Sequence, residues 1–485
     1  MSDKIDSSNG TPVGWGTSRQ LTAIRRADIS MPLRVTIRDQ VLTISNSLLD
    51  YGCGRGEDLR RLRHMGYEAQ GWDPHYAPDG TRTESDVVML TYVLNVIESP
   101  AEREEVVTCA WGLTKRALVV SCRLTWEDSQ VKGSNVGDGV VTSRDTFQHL
   151  FTTKEMKSLI EGATGTRCVS PTPGVVYAFR RPEDQLQYLA RTTFASHTWA
   201  ESSDRGTALA GVVAFAEGRG RPPLIEEIPS EAAALVAELN RSELARVVQK
   251  MADPARLSEG TKRSTLDTLL YLGISIFSGR PQFTNLPVTV QADVRHCFSS
   301  YKEACARADR LLLKIRDDTY IRGAMSNSVG KLTATALYVH TRAFRDLPVV
   351  LRLYEHCGAV AVGRPDGWNI LKLDHRGRRV SWSSYPEFDT DPHPKLDWTL
   401  GIDMSTLESR RQVFGNRENR PLLHRKEEFL SPSDPMAAKY RRLTASEVRH
   451  GLYANPTLIG LERGWDSELK RCGVMLRGHR VIRVF

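Results

Sequence analysis

Leu48-Leu49-Asp50-Tyr51-Gly52-Cys53-Gly54-Arg55-Gly56-Glu57 decides the fold of this chain. An apolar lead-in, Ser47-Leu48-Leu49, ends in an acid and then in three glycines at alternate positions. The order reads as a β-strand that stops and turns sharply into a helix over Glu57 to Met65. Glycine supplies the unusual backbone angles such a turn needs, and bare backbone lets a ligand come close. A dinucleotide fingerprint would be G-x-G-x-x-G, with the pyrophosphate on the helix N-terminus. Here the spacing is G-x-G-x-G and the sixth position is Glu57, an acid that repels a pyrophosphate. Asp50 at the strand end suits a cationic or zwitterionic ligand. The bland alternative is a glycine-rich turn that binds nothing.

Working outward, a second strand, Tyr67 to Trp72, ends at Asp73. An acid about 20 residues beyond such a turn can accept hydrogen bonds from both ribose hydroxyls of a nucleoside. A third strand, Asp86 to Leu90, leads into Thr91-Tyr92-Val93-Leu94-Asn95-Val96-Ile97. Its near-continuous apolar character fits a parallel strand buried on both faces. Ala101 to Trp111 is a charged amphipathic helix, and Arg116 to Cys122 the next buried strand. Thr152 and Glu155 form a capping box that opens a helix to Ile160. Gly174 to Arg180 reads as a closing strand and Pro182 to Thr192 as a helix. Strands alternating with helices argue a mostly parallel α/β sheet.

The strand, acid and alternate glycines resemble motif I of the Rossmann-like, class I S-adenosylmethionine-dependent methyltransferases. The resemblance implies S-adenosylmethionine as cofactor, with Asp50, Gly52, Gly54 and Gly56 around its amino-acid part and Asp73 on its ribose. It also implies that the chain after the third strand borders cofactor and acceptor, which puts Leu94 against the cofactor and Tyr92 and Asn95 at the reaction centre. The plain alternative for Tyr92 and Asn95 is capping or a buried hydrogen bond. One departure stands out. Only Pro74 to Ser85 separates Asp73 from Asp86, where the family usually fits a helix and a further strand. That layer carries the adenine contact, for which Asp79 and Glu84 are the substitutes at hand.

The 485 residues suffice for two or three domains. A hydrophobic content of 40% with a mean hydropathy of −0.36 describes a non-membrane protein, and the apolar runs fall far short of a membrane span. The polar start (Ser2, Asp3, Lys4, Asp6) lacks an apolar signal core, and residues 1–15 are expected to form a mobile tail. Eight cysteines without a CxxC pair suggest neither a zinc cluster nor a disulfide framework and fit the cytoplasm. The net charge of +8 favours an anionic partner, nucleic acid being the usual one. Arginines are dense near the glycine turn (Arg25, Arg26, Arg60, Arg61, Arg63) and toward the C-terminus (Arg376, Arg378, Arg410, Arg441, Arg442, Arg477, Arg480, Arg483).

Gly218-Arg219-Gly220-Arg221-Pro222-Pro223 reads as a domain boundary and a solvated linker. After it, Glu231 to Met251, Leu266 to Phe277 and Ala292 to Ile315 have helical spacing. Gly330-Lys331 is not a phosphate loop, because Leu332 stands where Ser or Thr should bind magnesium; it reads as a loop before a helix over Thr333 to Phe344. A strand is expected over Trp368 to Leu373. Asp389, Asp391, His393 and His424 carry the residue types of a divalent-metal site, and with Lys426 of a nuclease, but match no ligand spacing; a proline-rich loop with caps and salt bridges is the plainer account, and no metal is assigned. The domains expected are a tail and lead-in helix (1–33), a methyltransferase domain (34–200), a helical middle (201–327) and an α+β C-terminal domain (328–485).

Taken together, Leu49 to Gly56, Gly71-Trp72-Asp73-Pro74 and Tyr92 to Glu98 resemble the methyltransferase family associated with bacterial DNA phosphorothioation. Ala336-Leu337-Tyr338-Val339-His340, Asp391-Pro392-His393-Pro394 and Leu423-His424-Arg425-Lys426-Glu427 extend the resemblance over most of the chain. It implies a setting of DNA sulfur modification and phage defence, with other proteins of that system as partners. Neither common DNA-base chemistry is supported by motif. The sole Pro-Pro pair lies at Pro222-Pro223, away from the third strand where amine methylation would need it. No Pro-Cys pair offers the nucleophile of carbon-5 cytosine methylation. Methyl transfer from a sulfonium needs alignment more than acid–base help. The alternative is a non-catalytic nucleic-acid-binding defence component that uses the cofactor as a structural or sensing ligand.

Overall fold

The computed structural model describes residues 18–23, 25–194 and 197–484. The expected tail at 1–15 lies outside the described residues. Contacts divide the chain into two compact units, one running to Asp184 and taking in Ala361–Arg364, the other made of Gln185–Val360 and Pro365 onward.

The first unit is built on β1 (Leu48–Tyr51), β2 (Ala69–Trp72), β3 (Ser85–Thr91), β4 (Thr114–Ser121), β5 (Gly133–Val136), β6 (Gly139–Thr142), β7 (Phe147–Gln148), β8 (Cys168–Thr172) and β9 (Val175–Phe179). Its helices are α1 (Met31–Arg38), α2 (Glu57–His64), α3 (Pro100–Gly112) and α4 (Thr153–Thr164), and α5 (Pro182–Thr193) leads out of it. The main sheet has the order β2-β1-β3-β4-β9-β8. The first four strands are mutually parallel; β9 runs antiparallel to both β4 and β8. This is a Rossmann-like α/β arrangement. Leu49, Val88, Leu90, Leu118, Val120 and Val176 fill one face of the sheet together with Met156 and Ile160 of α4. Such burial on both sides of the central strands is what makes their sequences apolar throughout. Thr152 and Glu155 close the capping box that their spacing predicts. Strand β8 and the small antiparallel β5-β6-β7 sheet carry weak sequence signals and escape the reading above.

The sheet ends at β2, as the short Pro74–Ser85 connection requires. That connection folds back on the strand: Asp73 bridges Ala77, and Gly80 donates to the Ala77 carbonyl at 3.0 Å. A Cβ at Gly80 would stand 2.4 Å from the Gly71 carbonyl oxygen.

The second unit opens with helices α6 (Arg205–Arg219), α7 (Ser230–Leu235), α8 (Arg241–Met251), α9 (Pro254–Ser275), α10 (Val288–Cys297), α11 (Tyr301–Lys314) and α12 (Asp318–Ser326). Then come β10 (Lys331–Leu332), β11 (Ala336–His340), α13 (Val349–Val362), β12 (Ile370–Asp374), β13 (Arg379–Ser384), β14 (Trp398–Asp403), β15 (Ser409–Val413), α14 (Ala437–Arg449), α15 (Glu462–Arg471), β16 (Val474–Leu476) and β17 (Val481–Arg483). Strands β10 to β15 form one antiparallel meander in chain order.

Four sequence expectations are corrected here. Residues 333–344 do not form one helix: Ala336–His340 is a strand, Leu337 pairing with Leu373 in the meander, and only Thr341 onward turns into a short 3-10 helix, so sheet pairing overrides an ambiguous apolar spacing. Glu231 to Met251 is broken, because Asn240 caps α8 through the Ser242 and Glu243 amides. Ala292 to Ile315 is broken at extended Phe298, where Ser300 caps α11. The Gly218–Pro223 stretch is no solvated linker. Arg221 is buried and forks onto Asp293 (2.7 Å) and Glu227 (2.7 Å). A buried guanidinium persists only with such partners.

Candidate functional site

Strand order reverses beside β1, which has β2 on one side and β3 on the other. In open α/β sheets the crevice at the carboxyl ends of the strands at such a switch point is where ligands bind. Asp50 lies within the C-terminal half of β1, and Gly52, Gly54, Gly56, Asp73 and Tyr92 follow the ends of β1, β2 or β3 there.

The glycine turn is held by backbone. Gly52 and Cys53 both donate to the Trp72 carbonyl (2.7 and 3.0 Å), and Gly54 donates to Asp73 Oδ2 (2.9 Å). Gly52, Gly54 and Gly56 have φ of 91°, 51° and 68°. A Cβ on Gly52 would lie 2.5 Å from Val93 Cγ2, so angle and space both require glycine. Gly56 is the N-cap of α2. An open crevice of about 660 Å3 adjoins the turn, lined by Gly54, Gly56, Leu59, Gly71, Tyr76 and Arg55 among others.

Asp50 is buried, and its Oδ1 has no hydrogen-bond partner among the described residues. Burial raises its carboxyl from 3.8 to about 7, with Asp58 and Asp73 adding to the rise and Arg26 opposing it. A buried unpaired acceptor is costly, and a cationic donor would relieve it. Asp73 is already employed. Besides Gly54, the His75 and Tyr76 amides donate to its Oδ1 at 2.9 and 2.8 Å. A carboxylate offers about four acceptor positions. Three are taken, which leaves room for one ribose hydroxyl where the sequence suggested both.

Tyr92 has φ of 60°, rare for a bulky residue, and its amide is held by Ser121 (3.0 Å to the carbonyl). The Arg26 guanidinium lies 5.7 Å over its ring. Burial raises its hydroxyl to about 12, so the group stays protonated and can donate but not act as a base. Asn95 is spent elsewhere. Its Oδ1 accepts from the Arg123 amide at 2.9 Å, and its Nδ2 donates to the Arg123 and His149 carbonyls. The amide is a buried clamp between two loops. Leu94 has no exposed surface and packs in the core, so it touches no crevice in this arrangement. Asp79 and Glu84 are exposed to solvent. Burial lifts the Cys53 thiol to about 12, which leaves it unreactive beside the turn.

The residues that sequence reasoning missed lie before the glycine turn. Tyr76 Oη donates to the Gln20 carbonyl at 2.8 Å, and Arg19 forks onto Glu98 and Glu102. The Arg26 amide donates to Glu57, and the Ser30 amide to Asp58 at 3.0 Å. Glu57 and Asp58 at the start of α2 thus serve the preceding chain. Their acidity in the first helical turn was visible, but its recipient was not.

Of the metal-type residues of the second unit, His393 and His424 come together, with rings 4.3 Å apart and both Nδ1 atoms buried without a hydrogen-bond partner among the described residues, while the two aspartates hold other partners. Asp389 accepts from Arg342 (2.9 Å) and Tyr440 (3.0 Å), and Asp391 caps the His393 amide (2.8 Å). His393 Nε2 meets Glu447 (2.7 Å), and His424 Nε2 meets the Ile459 carbonyl (2.7 Å). Lys426 Nζ donates to the Phe388 and Asp391 carbonyls at 2.7 and 2.6 Å. Among the described residues no group of three or more His, Cys, Asp or Glu side chains is placed to hold a metal ion.

No protein-family model and no curated protein matches the chain. Among solved structures, similarity is found to an O-methyltransferase family protein from Burkholderia thailandensis (21% identity, 30% of this chain, TM-score 0.23). The chain spans 55% of that protein's length. It is also similar to the sugar N-methyltransferase KedS8 from Streptoalloteichus sp ATCC 53650 (16%, covering 31% of this chain and 85% of that one, TM-score 0.24). A third is CalS10, an amino pentose methyltransferase from Micromonospora echinaspora (15%, 31% and 90%, TM-score 0.25). At such scores none of these likenesses bears on the activity.

Proposed function

We propose that the first unit is an S-adenosylmethionine-dependent methyltransferase. The observation that carries this reading is the buried, unpartnered Asp50 oxygen beside a turn whose three glycines take left-handed φ angles. A zwitterionic amino acid supplies the ammonium that Asp50 lacks, and the bare turn accommodates its chain. Asp73 would take one ribose hydroxyl. The cofactor supplies a methyl group on a positively charged sulfur, already activated for attack. The protein's task is then to align an acceptor lone pair and exclude water. Protonated Tyr92 would hold the acceptor by donating a hydrogen bond; Asn95 acts only through the loops it clamps.

The acceptor proposed is nucleic acid, DNA before RNA, in the setting of DNA phosphorothioation and phage defence that the sequence resemblance implies. The net charge of +8 supports an anionic partner. Calorimetric titration with S-adenosylmethionine, followed by detection of its demethylated product with DNA, RNA and small acceptors, tests both parts. Absence of heat together with absence of product overturns the reading. A second reading, cofactor as structural or sensing ligand, is favoured by the engagement of Asn95. Uptake without product under every acceptor would select it.

A further inference from the structure

The segment from Ala437 to Val484 carries ten Lys and Arg against four Asp and Glu, a net +6 of the chain's +8. Three of the four acids are engaged. Glu447 is buried against His393 and Tyr453, Glu462 pairs with Lys395, and Glu468 pairs with Arg471. Arg441, Arg442, Arg449, Arg477, Arg480 and Arg483 are exposed and make no ion pair among the described residues.

Their placement is ordered. Helix α14 buries Ala437, Tyr440, Leu443 and Glu447. Arg442 and Arg449 therefore share its outer side, about 10 Å apart along the axis. That is the rise of three phosphates on one DNA strand at about 3.4 Å each. Strands β16 and β17 form a two-stranded ribbon whose turn is closed by the Arg477 amide on the Arg480 carbonyl at 2.9 Å. The ribbon tip is anchored. The His479 ring stacks on Tyr440 of α14 at 5.3 Å, and its Nε2 lies 3.0 Å from Lys426 Nζ. Burial lowers His479 to about 4, so it is a neutral plug and not part of the charge. Val474 and Trp465 fill the small core beneath, which holds Arg477 and Arg480 on a fixed support.

We infer that α14 and the β16–β17 ribbon form a docking surface for double-stranded DNA, contacted through its phosphates. This deepens the nucleic-acid part of the proposed function and rests on it. A polyanion suits a surface with six uncompensated guanidinium groups. The major groove of B-form DNA admits a helix or a two-stranded ribbon, whereas that of duplex RNA is too deep and narrow.

Fluorescence anisotropy of the full chain with a labelled duplex DNA, between 50 and 200 mM salt, tests the inference. Binding should weaken steeply with salt. Arg477→Gln with Arg480→Gln should lower affinity about tenfold and reduce the salt slope by roughly two. Arg442→Gln with Arg449→Gln should do the same, and Arg376→Gln with Arg378→Gln should leave binding unchanged. Unchanged melting temperatures show that the variants fold. No binding, equal loss in the Arg376/Arg378 control, or equal affinity for duplex RNA or anionic lipid vesicles would overturn it. Calorimetry with S-adenosylmethionine on the same variants separates the two readings: lost DNA binding with intact cofactor uptake supports the surface, while absent cofactor uptake with intact DNA binding sinks only the methyltransferase.

Discussion

The Gly54 amide donates to Asp73 Oδ2 at 2.9 Å, so the turn after β1 and the end of β2 are locked into one structure. Asp73 is a ligand candidate and the keystone of the turn at once. Asp73→Ala should leave three backbone amides without their acceptor and cost about 2–4 kcal/mol of stability along with cofactor binding. Asp73→Asn keeps one acceptor oxygen and should cost less. Chemical denaturation with calorimetry on both variants checks the order.

Asp50 makes stability and binding respond oppositely to pH. Its folded pKa, about 7, lies above the ordinary 3.8. The folded chain thus keeps a proton that the unfolded chain releases. This stabilising contribution is full below about pH 4 and is lost as pH rises through 7, at about 1.4 kcal/mol per pKa unit. Asp50→Asn should raise the melting temperature of the ligand-free protein at pH 8. A cationic ligand selects the ionised form, so affinity should rise with pH up to about 7 and uptake should release a proton. Titrations in two buffers of different ionisation enthalpy measure that release.

Gly52→Ala is expected to be severe. The added carbon meets Val93 at 2.5 Å and the backbone sits at φ 91°. A loss of roughly 1–3 kcal/mol in unfolding free energy should accompany loss of cofactor uptake. Gly66 has φ of 86° but nothing within 4 Å, so Gly66→Ala should keep uptake while losing some stability.

Tyr92 and Asn95 should separate in kinetics. Tyr92→Phe should keep cofactor affinity and lower kcat by one to two orders of magnitude. Asn95→Ala should instead unfold at lower denaturant, by about 2–3 kcal/mol, as its partners in the Arg123 and His149 loops lose their bonds. A turnover assay beside a denaturation curve distinguishes them.

Lys426→Met should weaken the second unit. Burial pushes this lysine down to about 7, and its ammonium bridges two carbonyls and His479. Hydrogen exchange of the Asp391 and His393 region should accelerate in the variant.

The parallel sheet was legible because burial on both faces leaves an apolar run, and the turn because three glycines have few other uses. Of the residues expected at the site, Gly54 and Gly56 line the crevice beside the turn, whereas Asp50, Gly52, Asp73 and Tyr92 do not. The engagement of Asn95 and the burial of Leu94 could not be read, since they depend on loops contributed from Arg123 and His149. Helix breaks at Asn240 and Ser300 were signalled by Asn-x-x-Glu and Ser-x-x-Glu spacing that apolar periodicity masked. The mispaired reading of Ala336 to His340 came from a short apolar segment, whose conformation is set by its neighbour at Ile370–Asp374. The engagement of Asp389 by Arg342 and Tyr440, and the packing of the His393 and His424 rings at 4.3 Å, likewise need three dimensions.

Gly80 sits where a side chain would strike the Gly71 carbonyl. The shortened connection brings its main chain close to the end of β2, at Gly71 and Trp72, where an unprotected sheet edge is open to a passing strand. So close an approach leaves one position, Gly80, where any side chain would force backbone apart.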